Sequence, residues 1–121
     1  MSYESTPTLY EKYGAAIDRV VSLFYQKVLD DKDLQPFFLG VNMDRQKKHM
    51  SAFITYALGG PNNYNGKNME AAHRKLKITD HHFDAVSKHL SDSLEQFSVE
   101  DSDRMNILST IERLREAIVG V

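Results

Sequence analysis

The chain contains no cysteine. That removes a disulfide framework, a thiolate nucleophile and any sulfur-ligated zinc or iron–sulfur centre, so a bound metal must rely on His, Asp, Glu or the atoms of a cofactor. Long apolar runs are missing as well, and nothing approaches the roughly twenty residues of a membrane-spanning helix. The opening Met1-Ser2-Tyr3-Glu4-Ser5-Thr6-Pro7 lacks the basic and apolar regions of a signal peptide. A soluble, cytoplasmic, membrane-free protein is expected. No sign of charge dominates either. Fifteen Lys and Arg stand against seventeen Asp and Glu, a net charge of -2, which is too weak a field to hold a polyanion and argues against nucleic acid.

At 121 residues the chain is long enough for one hydrophobic core and too short for two, so residues 1–121 are read as a single domain with 1–7 as a loosely ordered extension. None of it shows the strict alternation of a half-buried strand, whereas three long segments and a final one show helical spacing. The fold class is therefore all-α. In the first segment Ile17, Val20, Val21, Phe24, Val28 and Leu29 form an apolar stripe with Tyr25 at its margin. Asp30-Asp31-Lys32-Asp33 stops that helix. The corner Leu34-Gln35-Pro36-Phe37-Phe38-Leu39-Gly40 follows, and at least one of its two aromatic residues should enter the core.

A second helix is expected over residues 44–58, with an inner line of Gln46, Met50, Phe53 and Ala57 and a stop at Gly59-Gly60-Pro61. Thr79 or Asp80 is placed to cap a third helix with Phe83, Val86, Leu90, Leu94 and Phe97 on its inner face. After the break Ser98-Val99-Glu100-Asp101-Ser102-Asp103, a single final helix would bury Ile107 or Leu108, Ile111, Leu114 and Ile118.

Between the second and third helices, Met69, His73 and Leu76 recur at i, i+4 and i+7, which puts His73 on an apolar stripe. A buried imidazole costs free energy unless a hydrogen bond or a metal satisfies its nitrogens. A core histidine donating to a backbone carbonyl meets that need as well as a metal ligand does. Gln46 interrupts the inner line of its helix in the same way, and Tyr25 borders a third stripe with its hydroxyl expected in solvent. Two stripes from different helices thus each carry one polar interruption and a third is bordered by a tyrosine, a convergence that favours a shared site. The other histidines carry less. His49 follows Lys47-Lys48 on a solvated face, His89 is read as solvated, and a zinc site built from His73, His81 and His82 lacks a supporting ligand motif. The acidic residues from Glu100 to Asp103 suit a helix start, and no nucleophile triad or phosphate loop is present.

Read in order, Leu9-Tyr10-Glu11-Lys12, Phe24-Tyr25, Phe37-Phe38, Asn42-Met43-Asp44-Arg45-Gln46, Gly59-Gly60-Pro61, Ala72-His73 and His82-Phe83-Asp84-Ala85-Val86 form a pattern. On it the chain resembles group I truncated haemoglobins from Leu9 to Gly120. The resemblance implies a two-over-two helical sandwich around a haem, with His73 as the proximal iron ligand, Tyr25 as the distal donor to a diatomic ligand and Gln46 as its support. It implies further contacts to the haem from Phe38, Met50, Phe53, Tyr64, Met69, Ile78, Phe83 and Val86, with Lys67 near a propionate. In some relatives a histidine at the position of His49 takes the sixth iron position. No histidine follows His89, so a covalent link through a final-helix histidine is excluded and the cofactor should be an extractable haem b.

The function this implies is reversible binding of dioxygen, with nitric oxide and carbon monoxide as further ligands, by a monomer. Two alternatives accompany it: a nitric oxide dioxygenase served by a separate reductase, and a bis-histidyl electron-transfer or redox-sensing protein through His73 and His49. The chain departs from the family pattern at Gly14-Ala15-Ala16, where relatives commonly carry a Gly-Gly pair and a longer link. It departs again at Met50, which removes one potential distal donor.

Overall fold

A computed structural model describes residues 8–60 and 77–119. The expectations for residues 1–7 and for Tyr64, Lys67, Met69, His73 and Leu76 lie outside the described residues. Helix α1 (Leu9–Tyr13) starts at a reciprocal cap in which Thr8 Oγ1 accepts from the Glu11 N–H at 3.1 Å and Glu11 Oε1 accepts from the Thr8 N–H at 3.2 Å. One 3-10 turn, Gly14–Ala16, joins it directly to α2 (Ile17–Asp30). A second such turn, Gln35–Phe38, leads to α3 (Met43–Ala57), whose first turn is capped by the Asn42 side chain accepting from the Arg45 N–H at 3.2 Å. Helix α4 (Asp80–Gln96) is capped by Thr79, as expected. Its third residue, His82, completes the reciprocal arrangement through Nδ1, which accepts from the Thr79 N–H at 3.1 Å. Helices α5 (Asp101–Glu112) and α6 (Arg115–Ile118) follow.

The central element is α2. It packs against both α3 and α4, α4 packs on α5, and α3 reaches α5, so α2 is the helix around which the others are layered. Every position of the α2 stripe from Ile17 to Val28 is buried, and Val28 has no exposed surface. Leu34 pins the corner after α2 at 2% exposure, whereas Phe37 and Phe38 are both half-buried against the core.

The end of α3 explains how α1 is held. The Gly60 N–H donates to the Thr55 carbonyl at 2.8 Å and the Gly59 N–H to the Tyr56 carbonyl at 3.0 Å, the paired bonds of a Schellman close, with Gly59 at a φ of +81°. Leu58 then offers its carbonyl to the Tyr10 N–H at 3.0 Å. A methyl group on Gly60 would collide with the Tyr10 ring and meet the Thr55 methyl at 2.9 Å. Gly60→Ala is therefore expected to destabilise the fold by about 1–3 kcal/mol, read as a fall in melting temperature at matched cofactor content. An unchanged melting temperature would contradict this packing.

The structure corrects the sequence reading in four places. Tyr25 is not a margin residue with a wet hydroxyl but a core residue at 3% exposure. Ile54, absent from the expected inner line of α3, is buried at 1%. The final helix is broken at Arg113-Leu114 into α5 and α6, and Ile107 rather than Leu108 is the buried member of that pair. The break lets Arg115 reach Asp80 at 2.8 Å, Asp84, and Glu112 at 3.0 Å, with its guanidinium carbon 4.4 Å from the centre of the Phe83 ring. His89, read as solvated, is partly buried and lies 2.8 Å from Asp31.

Candidate functional site

Tyr25, Gln46 and Phe38 come together from three elements. Tyr25 projects from the middle of α2. The Phe24 ring meets it edge-on at 4.9 Å between centroids, and the Phe38 ring meets it edge-on at 5.8 Å from the corner turn. Gln46, on the first turns of α3, donates from Nε2 to Tyr25 Oη at 3.1 Å. This bond uses an oxygen lone pair of the phenol and leaves its own O–H hydrogen free to donate. Among the described residues none accepts that hydrogen. A buried donor without an acceptor is rare in a folded protein and costs about 1–3 kcal/mol, so this hydroxyl is a candidate for donating to a ligand.

Burial also fixes the protonation state. Desolvation pushes the Tyr25 phenol up from 10.0 to about 12, against the smaller opposing effect of the Gln46 hydrogen bond. The phenol thus stays a donor across the physiological range. Because the folded-state value lies above the unfolded one, the associated stability is complete below pH 10 and disappears as pH rises toward 12. It amounts to on the order of 3 kcal/mol. Denaturant unfolding at pH 9 and near pH 12 is expected to show this loss in the parent chain and not in Tyr25→Phe. A parallel loss in both would refute it.

The apolar residues expected to line a haem site are covered unequally. Phe53 and Phe83 are buried at 6% and 5% exposure. Phe38, Met43, Met50, Ile78 and Val86, from four different parts of the chain, are only partly covered while still touching the core. Phe83 is closed on one side by Arg115. His49 stands apart. It is exposed on α3 and makes no hydrogen bond or ion pair among the described residues. His81 and His82 are engaged elsewhere: His81 Nε2 pairs with Asp33 Oδ2 at 3.1 Å and His82 caps its helix. Among the described residues no three His, Asp or Glu side chains gather to hold an ion, and no helix is long and apolar enough to cross a membrane.

The family model for bacterial-like globins matches residues 8–120. A group 1 truncated haemoglobin of Tetrahymena pyriformis is 40% identical over 115 residues, spanning 93% of this chain and 95% of that protein. The crystal structure of the truncated haemoglobin from Tetrahymena pyriformis in its Fe(III) form superposes with a TM-score of 0.88 at 39% identity, covering 95% of this chain and all of the other. The 2/2 haemoglobin of a Synechococcus species, solved in the cyanomet state with covalently attached haem, superposes at 0.86 with 34% identity and covers the same shares.

Proposed function

The chain belongs to the bacterial-like globins and within them to the group 1 truncated haemoglobins, and from that premise we propose that it binds dioxygen reversibly, with His73 as the proximal ligand of a haem b and Tyr25 as the distal donor. Membership itself implies a haem and a small diatomic ligand. The described residues fit such a group. The observation that carries the reading is the Tyr25 hydroxyl, a buried donor whose oxygen is already used by Gln46 and whose hydrogen has no acceptor among the described residues.

When bound, the haem would supply an iron able to take up a small diatomic ligand. The chain's own part is to hold and shape. Phe38, Met50, Phe53, Ile78, Phe83 and Val86 would offer the apolar walls, together with Tyr64 and Met69, while Lys67 would meet a propionate carboxylate. The imidazole of His73 would ligate through one nitrogen and donate from the other to a backbone carbonyl. The phenol of Tyr25 would donate its hydroxyl hydrogen to that ligand. Gln46 fixes the direction of that donation by occupying a phenol lone pair, and Met50 leaves this pair without a further donor.

Dioxygen gains more from a hydrogen-bond donor than carbon monoxide does, because it draws more negative charge toward the distal side. The lack of any histidine after His89 supports a cofactor that acid and organic solvent extract. The exposed setting of His49 favours an open sixth position over a bis-histidyl one. Protein produced with ample haem is expected to show ferric, ferrous and oxygenated absorption spectra that interconvert. A colourless product would refute the proposal, and a low-spin ferric spectrum lost in His49→Ala would reverse the choice about His49.

A further inference from the structure

The corner that supports Tyr25 is tied to α4 through two histidine–carboxylate pairs that serve no capping or core role. Asp31 is its node. Its carbonyl accepts from the Leu34 and Gln35 N–H groups at 3.1 and 2.8 Å, its Oδ1 accepts from the Asp33 N–H at 2.9 Å, and its Oδ2 lies 2.8 Å from His89 Nε2. Both side chains of that last pair are about one-fifth exposed, at 20% and 22%. Eight residues earlier on α4, His81 Nε2 meets Asp33 Oδ2 at 3.1 Å. Between them the His82 ring stacks edge-on with Phe37 at 4.8 Å. The next residue, Phe38, is the one whose ring abuts Tyr25.

The same three-sided contact therefore fixes the start, middle and end of the segment from Asp31 to Phe38. We propose that His89 and His81 are positioning residues for Tyr25: by holding Asp31 and Asp33 they set where the corner places Phe38 against the phenol ring, and a proton taken up by either imidazole tightens that hold. The proposal rests on the reading of Tyr25 as the donor to the ligand.

The charge environment gives the sign. Facing the two imidazoles from the corner are Asp31 and Asp33, with Lys32 between them. On α4 itself Lys88 is drawn to Asp92 at 3.1 Å. From α5 and α6 the charged groups that reach α4 are Arg104, 3.7 Å from Glu95, and Arg115, on Asp80 and Asp84. Neither cation meets the histidine pairs. Imidazole is the side chain whose charge changes nearest neutrality, and its protonation converts a hydrogen bond from a neutral donor to a carboxylate into a hydrogen-bonded ion pair. The His89 pair holds the Asp31 carboxyl below its ordinary value, first through the hydrogen bond, so the carboxylate stays charged as acid is added. Acidification should thus steady Phe38 and Tyr25, and alkalinisation should loosen them.

Oxygen dissociation from the haem-loaded protein is expected to be about threefold slower at pH 6 than at pH 8, the scale of a partly exposed ion pair over a carboxylate bonded to an uncharged donor. His89→Gln, which keeps a donor but cannot take up charge, should flatten most of this profile, and His81→Gln a smaller part. In the carbon monoxide form, the ring-proton resonances of Phe38 and Tyr25 should shift with the same midpoint as the His89 imidazole, a readout that needs no variant to fold. A flat profile in the parent, a profile preserved in His89→Gln, or ring resonances that ignore the imidazole midpoint would each overturn the proposal. Failure of the donor reading is distinguishable from these outcomes, since it would leave oxygen dissociation unchanged in Tyr25→Phe at every pH.

Discussion

Replacing His73 by glycine is expected to leave a folded helical protein that loses its haem during gel filtration. This is the largest effect foreseen for any single substitution. The apolar walls would still attract a porphyrin, but a metal–imidazole bond and its directional anchor would be gone, and five partly covered apolar residues on their own make a weak and poorly oriented site. Two measurements check it. Visible absorption after desalting should fall to near the apoprotein baseline while far-ultraviolet circular dichroism keeps its helical form. Free imidazole added during reconstitution should restore much of the colour by standing in for the missing side chain. A glycine variant that keeps its haem with an unaltered spectrum would mean that another residue ligates, and the assignment of His73 would have to be abandoned.

Tyr25→Phe carries the second-largest effect, and it acts on kinetics rather than on cofactor retention. The substitution deletes one oxygen atom from a site at 3% exposure and leaves the ring that Phe24 and Phe38 grip. A hydrogen bond from this phenol to a partly charged ligand is worth roughly 1.5–3 kcal/mol, about ten- to a hundredfold in ligand retention. Oxygen should accordingly leave on the order of ten- to a hundredfold faster, while carbon monoxide dissociation changes far less. Stopped-flow displacement of one gas by the other measures both in a single preparation. Equal acceleration for the two gases would point to a loosened pocket instead of a lost donor. Losing the phenol also strands the Gln46 amide, so Gln46→Leu combined with Tyr25→Phe should cost less than the sum of the two single changes.

Much of the fold was legible because helix ends are written in local chemistry. Thr79 and Gly59-Gly60 act within three or four residues of their own positions, and each starts or stops a helix where its side chain or its freedom of φ predicts. The break at Arg113-Leu114 has no such signature. Glu112-Arg113-Leu114-Arg115 are all competent helix formers, and the turn there depends on carboxylates at positions 80 and 84, more than thirty residues earlier.

The site divides in the same manner. Spacing showed Gln46 as a polar interruption of an apolar line and Tyr25 at the margin of another, and only the family resemblance joined the two. The depth of Tyr25 was not legible, since its burial comes from Phe38 and from α3 closing over a flank that the α2 stripe leaves open. The pairing of His89 with Asp31 spans 58 positions, and neither residue's neighbours hint at it. Ile54 was missed for a simpler reason: a line drawn from Gln46 at steps of four and three follows one edge of a stripe two residues wide.

The place of α2 at the middle of the sandwich limits how this protein could be retuned over evolutionary time. Val21, Phe24 and Val28 lock that helix on the same turns that present Tyr25, so the phenol has almost no latitude to drift without wrecking the interior. Variation in gas affinity among descendants of this chain should therefore accumulate on α3 and on the short corner ahead of it, at sites such as Met50, where a changed side chain alters the ligand's surroundings and leaves the backbone scaffold untouched.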